Sequence, residues 1–152
     1  MISQPRGDSA SWQAADSQWQ QVLTHRPADD GSREAAAKRF AERGITPEQV
    51  RAILNDGGDA LYAAATKGSP GWAEAFGGPL AVALLSAEVS AFAAHLNSRA
   101  SGVRSAAVAE LLDEYSAVTV AGELGVARQK VYEIARAGLR PPYIEQVPWR
   151  TQ

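Results

Sequence analysis

The sequence predicts an all-α fold. Three observations carry that reading. Alanine is abundant and runs of β-branched residues are scarce. Apolar residues recur at spacings of three and four along most of the chain. No stretch alternates apolar and polar side chains for long enough to make a strand. With 152 residues, the chain can bury one sizeable core or build two small helical units.

Residues 1–10 are polar and rich in Ser, Gly and Pro, and are expected to be a mobile segment. From Ser11 to about His25, the residues Trp12, Ala15, Trp19, Val22 and Leu23 share one helical face. Two tryptophans are costly to leave in water. They therefore pack on the rest of the fold or dock a partner chain. His25, near the end of this helix, is read as a partner for the helix dipole. The breaker PADDG, Pro27 to Gly31, follows.

A second helix is expected from Ser32 to Arg43, stopped by Gly44. The next opens with Thr46-Pro47-Glu48-Gln49, a capping box with proline at the first helical position. Val50, Ile53 and Leu54 form its apolar face, and Asn55-Asp56-Gly57-Gly58 ends it. A short helix from Asp59 to Lys67 presents Leu61 and Tyr62, and Trp72 to Phe76 adds one turn. The longest helix is expected from Leu80 to about Ser98. Its stripe of Val82, Leu85, Val89, Phe92, Ala93 and Leu96 suits either a bundle core or a dimer seam. His95 sits at the edge of that stripe. Ser101-Gly102 is read as a break before a helix from Val103 to Tyr115, with Val108, Leu111 and Leu112 facing inward. After Gly138 the tail carries Pro141, Pro142 and Pro148. It is read as a strap bearing Tyr143, Ile144 and Trp149, or as a loose extension.

The stretch AVTVAGELGVARQKVYEIAR, Ala117 to Arg136, is the most specific signal. Ser116 is a plausible N-cap. Two short helices that cross closely need a small residue at the contact, and Ala121 stands there. The turn between them needs a residue tolerant of positive φ, which Gly125 provides. Val120, Leu124, Val126, Val131 and Ile134 occupy the positions that seal such a pair. Arg128, Gln129, Tyr132, Glu133 and Arg136 remain for solvent, and can reach base edges or phosphates.

This segment resembles the DNA-binding helix-turn-helix of bacterial and phage regulators, and its Gly125 to Tyr132 core looks like the Fis-type and invertase-type versions. The resemblance covers the last third of the chain. Two positions depart from the usual pattern: Ala127 stands where Ser or Thr often caps the second helix, and Glu133 puts an acid on the reading face. What the resemblance implies is a major-groove helix from Ala127 to Arg136. Arg128 and Gln129 would read bases, and Tyr132, Glu133 and Arg136 would lie along the groove. Lys130, Arg140 and the backbone near Thr119 would meet phosphates.

Residues 32–54 echo the same pattern, since Gly44-Ile45 matches Gly125-Val126 and Val50 and Ile53 match Val131 and Ile134. Phe40, however, stands where Ala121 does, so this pair is read as a packing hairpin.

Composition narrows the function. The chain contains no cysteine, and His25 and His95 lack the spacing of a zinc site, so no metal or cofactor is expected. There is no Walker loop, no G-x-S-x-G and no H-E-x-x-H, so no enzyme is expected. The polar amino terminus carries no signal sequence, and the longest apolar run, Pro79 to Leu85, is too short to span a bilayer. A cytoplasmic protein without membrane contact is expected. The formal net charge is −2, but from Asn97 onward seven basic residues face six acidic ones. Affinity for DNA would then rest on specific contacts and dimerisation more than on bulk charge. The expected organisation is residues 1–10 mobile, 11–100 a helical dimerisation or partner-binding region, 101–140 a DNA-binding unit, and 141–152 the Pro-rich tail. The chain is read as a sequence-specific regulator or phage-type repressor that binds double-stranded DNA as a homodimer. The alternative is an antitoxin-like or adaptor module whose amino-terminal half holds a protein partner.

Overall fold

The computed structural model describes residues 17–141. The expectations for the amino-terminal segment, for Trp12 and for the tail from residue 142 lie outside these residues. Every regular element among them is helical, and no strand occurs. The chain is all-α. It divides into two compact units, one running to Phe92 and one beginning at Ala93.

The first unit holds α1 (residues 17–22), α2 (Ser32–Glu42), α3 (Pro47–Asn55), α4 (Asp59–Lys67), a 3-10 turn (Trp72–Phe76) and the start of α5 (Pro79–Glu114). Trp19, Val22 and Leu23 are buried, as the amino-terminal face predicts. Trp19 stacks on Phe40 with ring centroids 5.7 Å apart and planes within 5°. Such a pair contributes roughly 0.5–1.5 kcal/mol beyond its buried area. Trp19 is therefore consumed by the core and is not a docking surface.

The capping box before α3 forms in full. The Gln49 N–H donates to Thr46 Oγ1 at 3.2 Å, and the Thr46 N–H donates to Gln49 Oε1 at 2.8 Å. Gly44 turns the chain at φ 73°, and the Ile45 N–H donates to the Phe40 carbonyl at 3.0 Å. Asp56 then caps α4, its carboxylate accepting from the N–H groups of Gly58, Asp59 and Ala60. On α4, Leu61 is buried but Tyr62 is 74% exposed. Of the two apolar residues this helix presents, Leu61 alone packs inward, because adjacent residues sit about 100° apart on a helix.

Ser101-Gly102 does not break the chain. α5 is a single helix of 36 residues from Pro79 to Glu114. An interior glycine costs about 1 kcal/mol relative to alanine, and without a proline the helix continues through it. Gly102 is buried. By length and composition α5 is apolar enough to cross a membrane, which the reading of contiguous apolar runs overlooked. In the first unit its apolar face is used internally, through Ala81, Leu85 and Phe92. Phe92 is only 5% exposed, and the His25 ring meets it edge-on at 5.3 Å. Phe92 therefore belongs to the core rather than to a free dimer seam.

Glu88 lies on that apolar face, and it is 1% exposed. The Arg26 guanidinium clamps its carboxylate, with Nε 2.8 Å from both oxygens and a terminal nitrogen 2.6 Å from one. His25 Nε2 approaches to 3.6 Å. His25 is thus a buried neighbour of a carboxylate, not the dipole partner expected at a helix end. Burial alone would push the Glu88 carboxyl up, but the adjoining His25 and Arg26 outweigh it and hold the group below the usual carboxylate range. The stability this contributes is present at neutral pH and is lost as pH falls through the depressed titration. Arg26→Ala, which strands a buried charge, should cost about 3–5 kcal/mol at neutral pH. Denaturant unfolding measured across pH should show that deficit shrinking in acid, as Glu88 becomes protonated. A deficit independent of pH would mean that Arg26 acts by packing alone.

Candidate nucleic-acid interface

The second unit consists of the later part of α5, then α6 (Ala117–Leu124) and α7 (Arg128–Ala137). The N-cap of α6 is Ser116, whose Oγ accepts the Thr119 N–H at 3.2 Å and lies 2.9 Å from Thr119 Oγ1. Thr119's own N–H is therefore engaged. The donors left for a phosphate at this end are those of the residues before it. Gly125 takes φ 68°, and the Val126 N–H donates to the Ala121 carbonyl at 3.1 Å, closing a Schellman turn. The same long bond joins Ile45 to Phe40 in the first unit. The echo noticed in sequence is thus a shared turn geometry.

Ala121 is buried where the two helices meet, and Val108, Ala117, Val120, Val131 and Ile134 form one core with it. Leu112, Val126 and Ala135 pack against this core from its edge. Two residues expected to face inward do not. Leu124 is 42% and Leu111 39% exposed. With Tyr115 they line a largely apolar cleft of about 300 Å³ between α5 and α6. A third helix packs against only part of a two-helix pair, so the outermost sealing positions stay wet.

Ser105, which positions α7, carries no signal as a site residue in the sequence. It is 1% exposed. Its hydroxyl donates to the Ile134 carbonyl at 2.5 Å and accepts the Gly138 N–H at 2.6 Å. One side chain of α5 thereby caps the carboxy-terminal end of α7. Its spacing marks only an inward face: Ser105 stands three residues before Val108, on the same side of the helix.

α7 is fixed at one end and uncapped at the other. Ala127 is its N-cap residue and supplies no side-chain hydrogen bond. That absence costs about 1 kcal/mol relative to Ser or Thr. Arg128, Gln129, Tyr132, Glu133 and Arg136 are all exposed and share one face. Lys130 Nζ lies 3.6 Å from the Glu133 carboxylate, an exposed pair one turn apart. Such pairs are worth little, and a phosphate could compete for the lysine. Arg136 Nε donates to the Tyr132 carbonyl at 3.3 Å, which tethers its guanidinium along the helix. Ala127 is exposed at the turn, and Arg140 is exposed beyond the end of α7. Of the predicted set, five side chains converge on one surface. Lys130 and Arg140 flank it, and Thr119 sits on α6 with its N–H bonded internally.

No family model, curated protein or solved structure matches this chain.

Two substitutions probe the construction of this surface. Ser105→Ala removes both partners of the α7 cap and should cost roughly 1–3 kcal/mol. Hydrogen exchange should show the loss at the end of α7 first. Ala121→Leu overpacks the helix crossing and should also cost roughly 1–3 kcal/mol in thermal unfolding. An unchanged melting temperature for Ala121→Leu would mean that the helices do not meet there.

Proposed function

We propose that α6 and α7 form a helix-turn-helix that reads double-stranded DNA, with α7 in the major groove. The observation that carries this reading is the division of labour on α7. Val131 and Ile134 are spent on the core, while every exposed side chain from Arg128 to Arg136 is a hydrogen-bonding group. Arg128 and Gln129 stand at the start of the helix, where a recognition helix meets base edges. Arginine pairs bidentately with guanine, and glutamine with adenine. Tyr132 and Arg136 follow one and two turns later, and Lys130 and Arg140 are assigned to phosphates. Glu133 adds selectivity by accepting from cytosine or by repelling a phosphate.

A single recognition helix discriminates only a few base pairs. The reading therefore includes a cytoplasmic homodimer acting as a transcriptional regulator or phage-type repressor. Neither Phe92 nor Trp19 is free to hold that dimer, since both are buried. One observation favours a second reading, a protein-interaction module. Leu111, Tyr115 and Leu124 are exposed and line one largely apolar cleft. Apolar groups gathered in that way mark contact surfaces.

Selection of bound sequences from a random duplex pool tests the first reading against the second. Enrichment of a palindrome with half-sites roughly 34 Å apart is the expected result. Arg128→Ala should weaken binding to the selected site by roughly 1–3 kcal/mol and relax preference at one base pair. Its melting temperature should not move. No enrichment, with the chain instead retained on protein, would favour the interaction module.

A further inference from the structure

Within the second unit, a cleft of about 530 Å³ opens between α5 and the residues that end and follow α7. His95, Ser98 and Ser101 line it from α5, and Ala137, Gly138 and Arg140 from the other side. Its polar side chains are a guanidinium, an imidazole and two hydroxyls, all able to donate hydrogen bonds. Among the described residues no carboxylate lines it. The flanking sequence has the same sign. Between Glu88 and Glu110 the chain carries His95, Arg99 and Arg104 and no acidic residue. From Ile134 to Pro141 it carries Arg136 and Arg140, again with no acid.

Donors on two facing walls suit an oxyanion. A guanidinium can grip two of its oxygens, while hydroxyls take the others. An apolar guest would displace water from the Arg140 guanidinium and the two hydroxyls without replacing its hydrogen bonds. The negative end of the α7 dipole opposes an anion here. That opposition is blunted, because the Ser105 hydroxyl already satisfies the Ile134 carbonyl and Arg140 follows the helix end.

We propose that this cleft binds a phosphate group, gripped by Arg140 and met by the hydroxyls of Ser98 and Ser101 on α5. The site does not depend on the DNA-reading proposal, since its ligand is defined by its own lining. An occupant would join the segment after α7 to α5 beside the Gly138 N–H, which Ser105 already holds. Loading would therefore stiffen the end of α7. The phosphate could come from a DNA backbone or from a soluble phosphorylated compound.

The test is a titration of the full chain with inorganic phosphate, at constant ionic strength held with chloride. Backbone amide shifts of Ser98, Ser101, Gly102 and Gly138 are the readout. Saturable shifts centred on these amides are expected, with affinity at least about tenfold weaker in Arg140→Gln. Arg140 is exposed, so the variant should melt with the wild type. Should it not, the doubly substituted Ser98→Ala, Ser101→Ala chain replaces it, with the same weakening expected. Shifts that do not saturate, that spread over other cationic surfaces, or that survive the substitution would overturn the proposal. Repeating the titration with a random-sequence duplex separates the sources. Exclusion of phosphate by the duplex assigns the cleft to the DNA backbone. Phosphate that still binds beside the duplex, or a duplex that does not bind, assigns it to a soluble compound.

Discussion

The end of α7 is held by a hydroxyl from a different helix, and the arrangement of the second unit follows from that contact. A helix of ten residues is marginal by itself and leaves its last carbonyls without partners. Gly138 leaves the helix at φ 76° and ψ 166°, so the chain turns away before a backbone cap can close. Ser105 supplies the missing donor and acceptor together. Because its hydroxyl is buried, both of its bonds must be kept, and that requirement fixes the azimuth of α7. Rotating the helix would break the cap and expose Val131 and Ile134. The polar face of α7 is thereby aimed by a contact on its opposite side.

A similar economy operates in the first unit around Glu88. An ionised carboxylate inside an apolar face is expensive unless it is matched. Here the Arg26 fork and the neighbouring His25 match it. Arg26 is also anchored to Ser32 through a terminal nitrogen, and its carbonyl accepts from Arg33 Nε. The loop between α1 and α2 is thus stitched to α5 by charge as well as by packing. Alternative packings of α5 would have to bury Glu88 without its partner, so the cluster specifies an arrangement as much as it stabilises one.

Charge is distributed along α5 in a way the net value conceals. Its middle, from His95 to Arg104, is free of acid, whereas Glu110, Asp113 and Glu114 crowd its carboxy-terminal end. Anions at a helix carboxy terminus oppose the dipole, and no basic residue offsets them in the last turn. The basic stretch borders the polar cleft, and the acidic end borders the apolar one. These two clefts of the same unit therefore differ in the chemistry of their linings.

The sequence by itself determined the elements that depend on local rules. The capping box at Thr46, the N-cap at Ser116, the glycine turns at Gly44 and Gly125 and the small residue at Ala121 are all written in a few adjacent residues. So is the polar face of α7, because helical spacing alone separates Arg128, Gln129 and Tyr132 from Val131 and Ile134. Only the tertiary structure decided whether Ser101-Gly102 breaks a helix, since glycine permits both outcomes and packing selects one. It also decided that Phe92 and Trp19 are interior, that Leu124 and Leu111 stay wet, and that His25 and Glu88 meet. The role of Ser105 was set in the same way, by a carbonyl 29 positions distant in the chain. Contacts at such separations follow from how helices pack, and a sequence pattern records only which face of each helix is available.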